Sequence, residues 1–218
     1  LYFTLGRKKK EKNSDEGIKE ENAIKKDEYY FTATYKSKNG KNIKLFNPSR
    51  LGLQEGQYFI YESTKGSNLR RIEEIEVSNG VLNSTIDGLI QIKVNFTDSL
   101  SNLDFMFEGC DDLLNVNLSN INSSINSMIY TFTNCQNLQR VDFTSLDTSN
   151  VTEMDFLFAG CNNLVEITNF DTINASSVTK TAGMFADCTS LMSANLSAFD
   201  IDNDEEPSGM FINNHSLQ

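Results

Sequence analysis

The stretch LDTSNVTEMDFLFAGCNNL, at residues 146–164, contains a pattern that the chain repeats. A Phe is followed three residues later by a Cys, and three residues after that by a Leu. The same order occurs in FMFEGCDDL (105–113), YTFTNCQNL (130–138) and AGMFADCTSL (182–191), and GMFINNHSL (209–217) has His215 in place of the Cys. Five matches in one chain indicate an internal structural repeat.

The spacing of this repeat is regular. Its Phe positions are separated by 25, 26, 27 and 26 residues, and its Cys positions by 25, 26 and 27. One such unit cannot bury its own apolar side, but units packed against each other can. We therefore predict that Phe, Cys and Leu each form an interior column. The Phe and Cys columns consist of Phe107, Phe132, Phe158, Phe185 and Phe211 and of Cys110, Cys135, Cys161 and Cys188.

A short run of alternating apolar and polar residues follows each Leu. Examples are Val116-Asn117-Leu118, Val141-Asp142-Phe143 and Ala194-Asn195-Leu196. Alternation of this kind is typical of a strand with one buried face. Polar turns follow the strand, and we expect one helical or 3₁₀ turn before the next Phe.

The repeat resembles a known family. The segments DTSNVTEM (147–154), LFAGCNNL (157–164), MFADCTSL (184–191) and FMFEGCDDL (105–113) resemble the BspA-type leucine-rich repeats of bacterial and protist surface proteins. The resemblance covers about residues 98–218. It implies an α/β, β-rich leucine-rich-repeat solenoid of about five stacked 25–27-residue coils, with a parallel sheet on one face and an incomplete last coil. It also implies a surface-displayed adhesion or ligand-binding role.

The chain before the repeats divides into two parts. Residues 1–28 contain a strand-like start, LYFTLG, and a charged linker, and this start also fits the end of an apolar segment followed by a basic stop. Residues 29–97 are β-rich, and Asn39-Gly40 between YYFTATYK and KNIKLF predicts an antiparallel hairpin. We expect this region to cap the first coil, whose core would otherwise face water.

Charge is distributed unevenly along the chain. Residues 1–97 contain 17 Lys and Arg against 13 Asp and Glu, whereas residues 98–218 contain 2 against 17. Because the second half repels phosphate backbones, we expect no nucleic-acid partner. No apolar run approaches the roughly 20 residues of a membrane span, so we expect membrane contact only through an anchor outside this chain.

Little in the sequence indicates catalysis. The four Cys fit buried reduced thiols better than disulfides between neighbouring coils, and without paired ligands they do not indicate zinc. His215 is the only His, and there is no Gly-rich phosphate loop. We therefore expect a protein that is not an enzyme and needs no cofactor.

A weak calcium candidate lies in the fourth repeat. Asp200, Asp202 and Asp204 are spaced like the first ligands of a calcium loop, but Glu205 replaces the required Gly and Pro207 interrupts the second half of the loop. This pattern excludes an EF-hand, and a solvated acidic turn fits it better.

Eight N-x-S/T sequons occur, and a protein secreted by a eukaryote would carry glycans on several of them. These glycosylation candidates are Asn83, Asn95, Asn117, Asn122, Asn150, Asn174, Asn195 and Asn214.

The predicted sheet face is polar, and such faces bind other molecules by surface complementarity. Its candidate partner-binding residues are Asn117, Arg140, Asp142, Glu166, Thr168 and Asn195. Our first hypothesis is therefore a non-enzymatic extracellular or cell-surface protein that binds a protein or glycan partner. An intracellular scaffold is a lesser alternative.

The second hypothesis is a self-assembling subunit of an extracellular filament. The open last coil would be completed by the N-terminal residues of the next copy, which gives a head-to-tail contact that does not close. The basic front and acidic rear of the chain agree with this direction. The assembly residues would be Leu1, Tyr2, Phe3, Leu5, Phe211 and Leu217.

Overall fold

The computed structural model describes residues 29–64, 70–71, 77–121, 124–165, 167, 169–200 and 209–217. Within these ranges there is no α-helix, and hence no helix long and apolar enough to cross a membrane. The elements are β1 (Tyr29–Ser37), β2 (Asn42–Lys44), β3 (Tyr58–Thr64), β4 (Arg70–Arg71), β5 (Val77–Ser78), β6 (Val81–Asn83), β7 (Gly88–Phe96), β8 (Leu113–Asn117), β9 (Arg140–Asp142) and the 3₁₀ helix η1 (Phe170–Thr172).

The main sheet joins the N-terminal region to the first two repeats. Its six strands lie in the order β4-β3-β7-β1-β8-β9. Strand β1 pairs antiparallel with β7 along its whole length and antiparallel with β8 on its other side, and only β8 and β9 are parallel. Alternate residues of β1, such as Phe31, Ala33 and Tyr35, are buried, so one face of this sheet covers the core.

The predicted hairpin around Asn39-Gly40 is wrong. Gly40 does adopt the left-handed conformation that a tight turn favours, with a φ of 76°. However, β2 pairs with β6 in a separate three-stranded sheet of order β2-β6-β5, while β1 pairs with β7 and β8. Nine residue pairs with β7 stabilise β1 more than three pairs with β2 would, so long-range pairing overrides the local turn signal.

Left-handed backbone conformations prevent the segment around each recurring Phe from forming an α-helix. Each repeat has two such residues four positions apart, which leaves three residues between them. A left-handed residue interrupts an α-helix, so no helical turn can extend. The first position is occupied by Phe105, Tyr130, Phe156, Gly183 and Gly209, and the second by Gly109, Asn134, Gly160, Asp187 and Asn213.

The predicted α/β leucine-rich-repeat solenoid is therefore wrong. The described residues are almost all β or turn, and the main sheet is mixed and mostly antiparallel. In the part of the chain that the structure describes, parallel strand pairing is limited to β8 and β9, and later repeats show isolated bridges such as Glu153 with Lys180. Residues 194–196, predicted as a strand, are not one, because backbone bonds between the later repeats are made mainly in turn segments.

Neighbouring repeats contact each other through those turn segments. The amide of Phe107 donates to the Thr131 carbonyl at 2.8 Å, and the amide of Phe132 donates to the Leu157 carbonyl at 2.9 Å. The recurring Phe side chains lie in one row of parallel rings. Their centroid separations are 5.2 Å for Phe107–Phe132, 5.3 Å for Phe132–Phe158, 5.6 Å for Phe158–Phe185 and 5.4 Å for Phe185–Phe211.

The core is continuous from the main sheet into the repeats. Phe31 of β1 packs edge-on against Phe107, with ring centroids 5.0 Å apart. The phenol of buried Tyr35 donates a hydrogen bond of 2.5 Å to the Leu45 carbonyl, which ties the two sheets together. These contacts hold β1 against the first repeat. The polar residues of β1 therefore lie beside those of β8 and β9 on the outer face of the main sheet.

Candidate functional site

The outer face of the main sheet contains an open groove with a volume of ≈ 540 Å³. This volume lies in the range of about 300–1,000 Å³ that is common for ligand sites. We call it the polar groove. It is lined by Thr32, Ala33, Thr34, Ser63, Gln91, Ile92, Lys93, Asn115, Val116, Asn117, Arg140 and Asp142.

Strand register arranges the polar lining in two rows that cross the strands. Residues directly opposite each other on paired strands lie on the same face, and so do residues two apart on one strand. The first row is Ser63, Gln91, Thr34, Asn115 and Arg140. The second row is Lys93, Thr32, Asn117 and Asp142, and Tyr61 continues it on β3.

The apolar lining residues form the floor of the polar groove. Ala33, Ile92 and Val116 are 5%, 1% and 3% exposed, because their side chains point to the core. The side chains that reach the surface of the polar groove therefore end in hydroxyl, carboxamide or charged groups, and their aliphatic stems and methyl groups provide apolar surface between those ends. Such a surface suits a ligand that is rich in hydrogen-bonding groups.

Asp142 is held by hydrogen bonds at one end of the polar groove. Its two carboxylate oxygens accept from the Thr144 amide at 2.9 Å and from the Asn117 carboxamide at 3.0 Å. Partial burial raises the pKa of Asp142, but hydrogen bonds from Thr144 and Asn169 and the nearby charge of Arg140 outweigh it and lower the pKa below its ordinary 3.8. The group is therefore an anion at neutral pH, and it accepts hydrogen bonds.

Two cations accompany this carboxylate. The ammonium group of Lys93 lies 3.9 Å from the centroid of the Tyr30 ring, a cation–π contact. Arg140 is exposed, and its guanidinium makes no hydrogen bond or ion pair with the residues that the structure describes. A guanidinium has five N–H donors with which it can bind a ligand.

The structure brings together part of the predicted binding surface. Asn117, Arg140 and Asp142 line the polar groove. Asn195 is exposed outside it and donates to the Asp171 carboxylate at 3.2 Å, while Glu166 and Thr168 lie outside the described residues.

Sequence reasoning misses the half of the polar groove that comes from the N-terminal region. The missed residues are visible as the exposed positions of alternating strands, as in YYFTATYK and IQIKVNF. The sequence assigns them to a cap, because nothing local indicates that β1 pairs with β8. The missed lining residues are Thr32, Thr34, Ser63, Gln91 and Lys93.

The four Cys residues are buried free thiols. The thiols of Cys135, Cys161 and Cys188 donate to the carbonyls of Phe107, Phe132 and Phe158 in the preceding repeat. Burial raises the pKa of Cys188 to about 12, and burial also raises the pKa of the other three thiols. Neutral thiols of this kind are poor nucleophiles and poor metal ligands.

The remaining candidate sites are scattered. Of the assembly residues, Phe211 and Leu217 are partly buried, whereas Leu1, Tyr2, Phe3 and Leu5 lie outside the described residues. Of the calcium candidates, Asp200 is exposed, and Asp202 and Asp204 lie outside the described residues. Among the sequons, Asn83, Asn150, Asn174 and Asn195 are exposed, Asn95, Asn117 and Asn214 are partly buried, and Asn122 lies outside the described residues.

Comparison with known proteins places the repeats in a family. A family model described as "Mycoplasma protein of unknown function, DUF285" matches residues 101–218, which is more than half of the chain. Comparisons with curated proteins and with solved structures found no match. The matched residues include all five repeats and the strands β8 and β9 of the polar groove. The chain therefore belongs to the family of Mycoplasma proteins of unknown function, DUF285.

Proposed function

We propose that the chain is a non-enzymatic binding protein of the cell surface, which uses the polar groove to hold a protein or glycan partner outside the cell. The observation that carries the proposal is the polar groove itself: two rows of outward hydrogen-bonding side chains on a sheet whose inner face is anchored in the core. A rigid sheet holds such groups in a fixed pattern, and this lowers the entropy cost of binding.

The sequence of the repeats supports an extracellular role. The segments DTSNVTEM and LFAGCNNL resemble the repeats of BspA-type surface proteins, and adhesion is the role that this resemblance suggests. The groove lacks an arrangement of nucleophile and base: its groups are amides, hydroxyls, two cations and one carboxylate. Binding by complementarity is the chemistry that such a set supports best.

A variant that fills the polar groove tests this proposal. Thr34 lies in the middle of the first row, so Thr34→Trp would occupy the groove on a strand that accepts aromatic residues. We expect the purified chain to bind members of an array of extracellular glycans and matrix proteins, and Thr34→Trp to reduce that binding at least about tenfold.

The matched control is Gln136→Trp, which adds the same side chain at an exposed turn residue outside the polar groove. It should bind like the unmodified chain. Equal binding by Thr34→Trp and Gln136→Trp would contradict the proposal, and circular dichroism of both variants checks that they are folded.

A further inference from the structure

We propose that the ligand of the polar groove is an acidic oligosaccharide that lies across the strands, between the two rows of polar side chains. This inference rests on the proposed function and names its ligand class. The acid groups are carboxylates or sulfates, separated by neutral sugar units.

The surface of the polar groove argues against a protein partner. Protein interfaces depend on aromatic or aliphatic anchors that enter apolar pockets, but the apolar lining residues here are at most 5% exposed. A peptide could also add a strand, but the groove is the face of the sheet, and its backbone groups are paired in the ladders of β7, β1 and β8. Side-chain donors and acceptors are what remains, and a chain of hydroxyl groups matches them.

The two cations determine where the acid groups near the two ends of the ligand bind. Lys93 is on β7 and Arg140 is on β9, with β1 and β8 between them. Three steps of about 4.8 Å between neighbouring strands separate the two residues by about 14 Å across the sheet, and their different rows add an offset of about 7 Å along the strands. An extended chain with acid groups near both ends spans this distance, and a guanidinium binds a carboxylate or a sulfate through two parallel hydrogen bonds.

The middle of the polar groove selects neutral hydroxyl groups. Thr32, Thr34 and Asn115 lie between the cations and offer donors and acceptors without charge. The Asn117 carboxamide beside them already bonds to Asp142 and Ser119. Asp142 lies beside Arg140 and stays ionised, so it repels a chain with acid groups at every position but accepts hydrogen bonds from sugar hydroxyls. The arrangement therefore fits acid groups that are interrupted by neutral sugars.

Titration calorimetry of the full chain with defined saccharides tests the inference. The probes are a hyaluronan hexasaccharide with a carboxylate on alternate sugars, a chondroitin sulfate hexasaccharide with added sulfates, and neutral chitohexaose. We expect the acidic probes to bind at least about tenfold more tightly than chitohexaose, with a dependence on salt. The acidic probe that binds more tightly indicates whether the acid groups of the ligand are carboxylates or sulfates.

Variants of Arg140 provide the matched comparison. Arg140→Gln should weaken binding of the acidic probes about tenfold and reduce its salt dependence, and Arg140→Lys should restore part of the affinity. Lys38→Gln, which removes the same charge from an exposed turn outside the polar groove, should have little effect. Because Arg140 and Lys38 are exposed surface residues, all three variants should unfold within a few degrees of the unmodified chain.

The outcomes separate the inference from the proposed function. If acidic and neutral probes bind with equal affinity, or if Arg140→Gln does not change the affinity, the inference of an acidic ligand is wrong. A neutral glycan would then be the remaining candidate for the polar groove. If the chain binds a matrix protein but no saccharide, and Thr34→Trp abolishes that binding, the glycan inference is wrong but the proposed function is supported. If Thr34→Trp alters no interaction of any kind, both proposals are wrong.

Discussion

Gly183 occupies a place in its repeat where the three preceding repeats have an aromatic residue: Phe105, Tyr130 and Phe156. Those three rings stack on each other at 5.2 and 4.9 Å, and a β-carbon at Gly183 would approach the Phe156 ring to 2.5 Å. All four residues have positive φ values between 54° and 58°. Aromatic residues rarely adopt this conformation, so the sequence indicates an ordinary helical turn there.

Gly183→Ala should therefore destabilise the fold by two separate effects. The left-handed conformation costs about 1–2 kcal/mol for a residue with a β-carbon, and the contact with Phe156 adds about 1–3 kcal/mol. Gly52→Ala is the control, because Gly52 also has a positive φ of 71° but has open space around its β-carbon position. Urea unfolding should show the larger loss for Gly183→Ala, and equal losses would mean that the Phe156 ring moves aside freely.

At the scale of elements, the row of Phe rings joins repeats that share almost no strand pairing. The period of Phe can be read from the sequence because identical side chains are needed wherever identical environments recur. The secondary structure between the Phe positions cannot be read in this way, since isolated bridges and turns have no periodic signature. The same limit applies to β1, whose alternation predicts a strand but does not say that its partners are β7 and β8.

Phe158→Ala should be among the most damaging substitutions in the repeats. The ring is fully buried between Phe132 and Phe185, and its removal leaves a cavity in the row, with an expected cost of about 3–5 kcal/mol. Phe211→Ala is the matched comparison, because its ring stacks on Phe185 but is partly exposed. Thermal unfolding should show a clearly smaller effect for Phe211→Ala, and the reverse order would mean that the row is not a continuous core.

At the scale of the whole molecule, the net charge of the chain is negative, whereas the charged side chains of the polar groove are mainly positive. The formal net charge is −11, because residues 98–218 carry −15 and residues 1–97 carry +4. The polar groove nevertheless has two cations against one carboxylate. Neither the composition nor the repeat could predict this local reversal, because it arises only when β1 and β7 come to lie beside β8 and β9.

Salt should stabilise the whole chain. Like charges concentrated in the acidic repeats repel each other more in the compact state than in the unfolded chain. Raising the salt concentration from about 0.01 to 0.1 M shortens the screening length from about 30 to about 10 Å and weakens this repulsion. The unfolding temperature should therefore rise with added NaCl, and a fall would show that attractive ion pairs, such as Lys180 with Glu153, dominate instead.

Among the described residues, the polar groove is built by the N-terminal strands together with β8 and β9, which belong to the first two repeats. Later repeats contact their neighbours through equivalent turn segments, and none of their described residues lines the polar groove. A gene that gained or lost one of these units by recombination would keep the polar groove unchanged. Copy number would then determine the length of the repeat array independently of the groups that the polar groove presents.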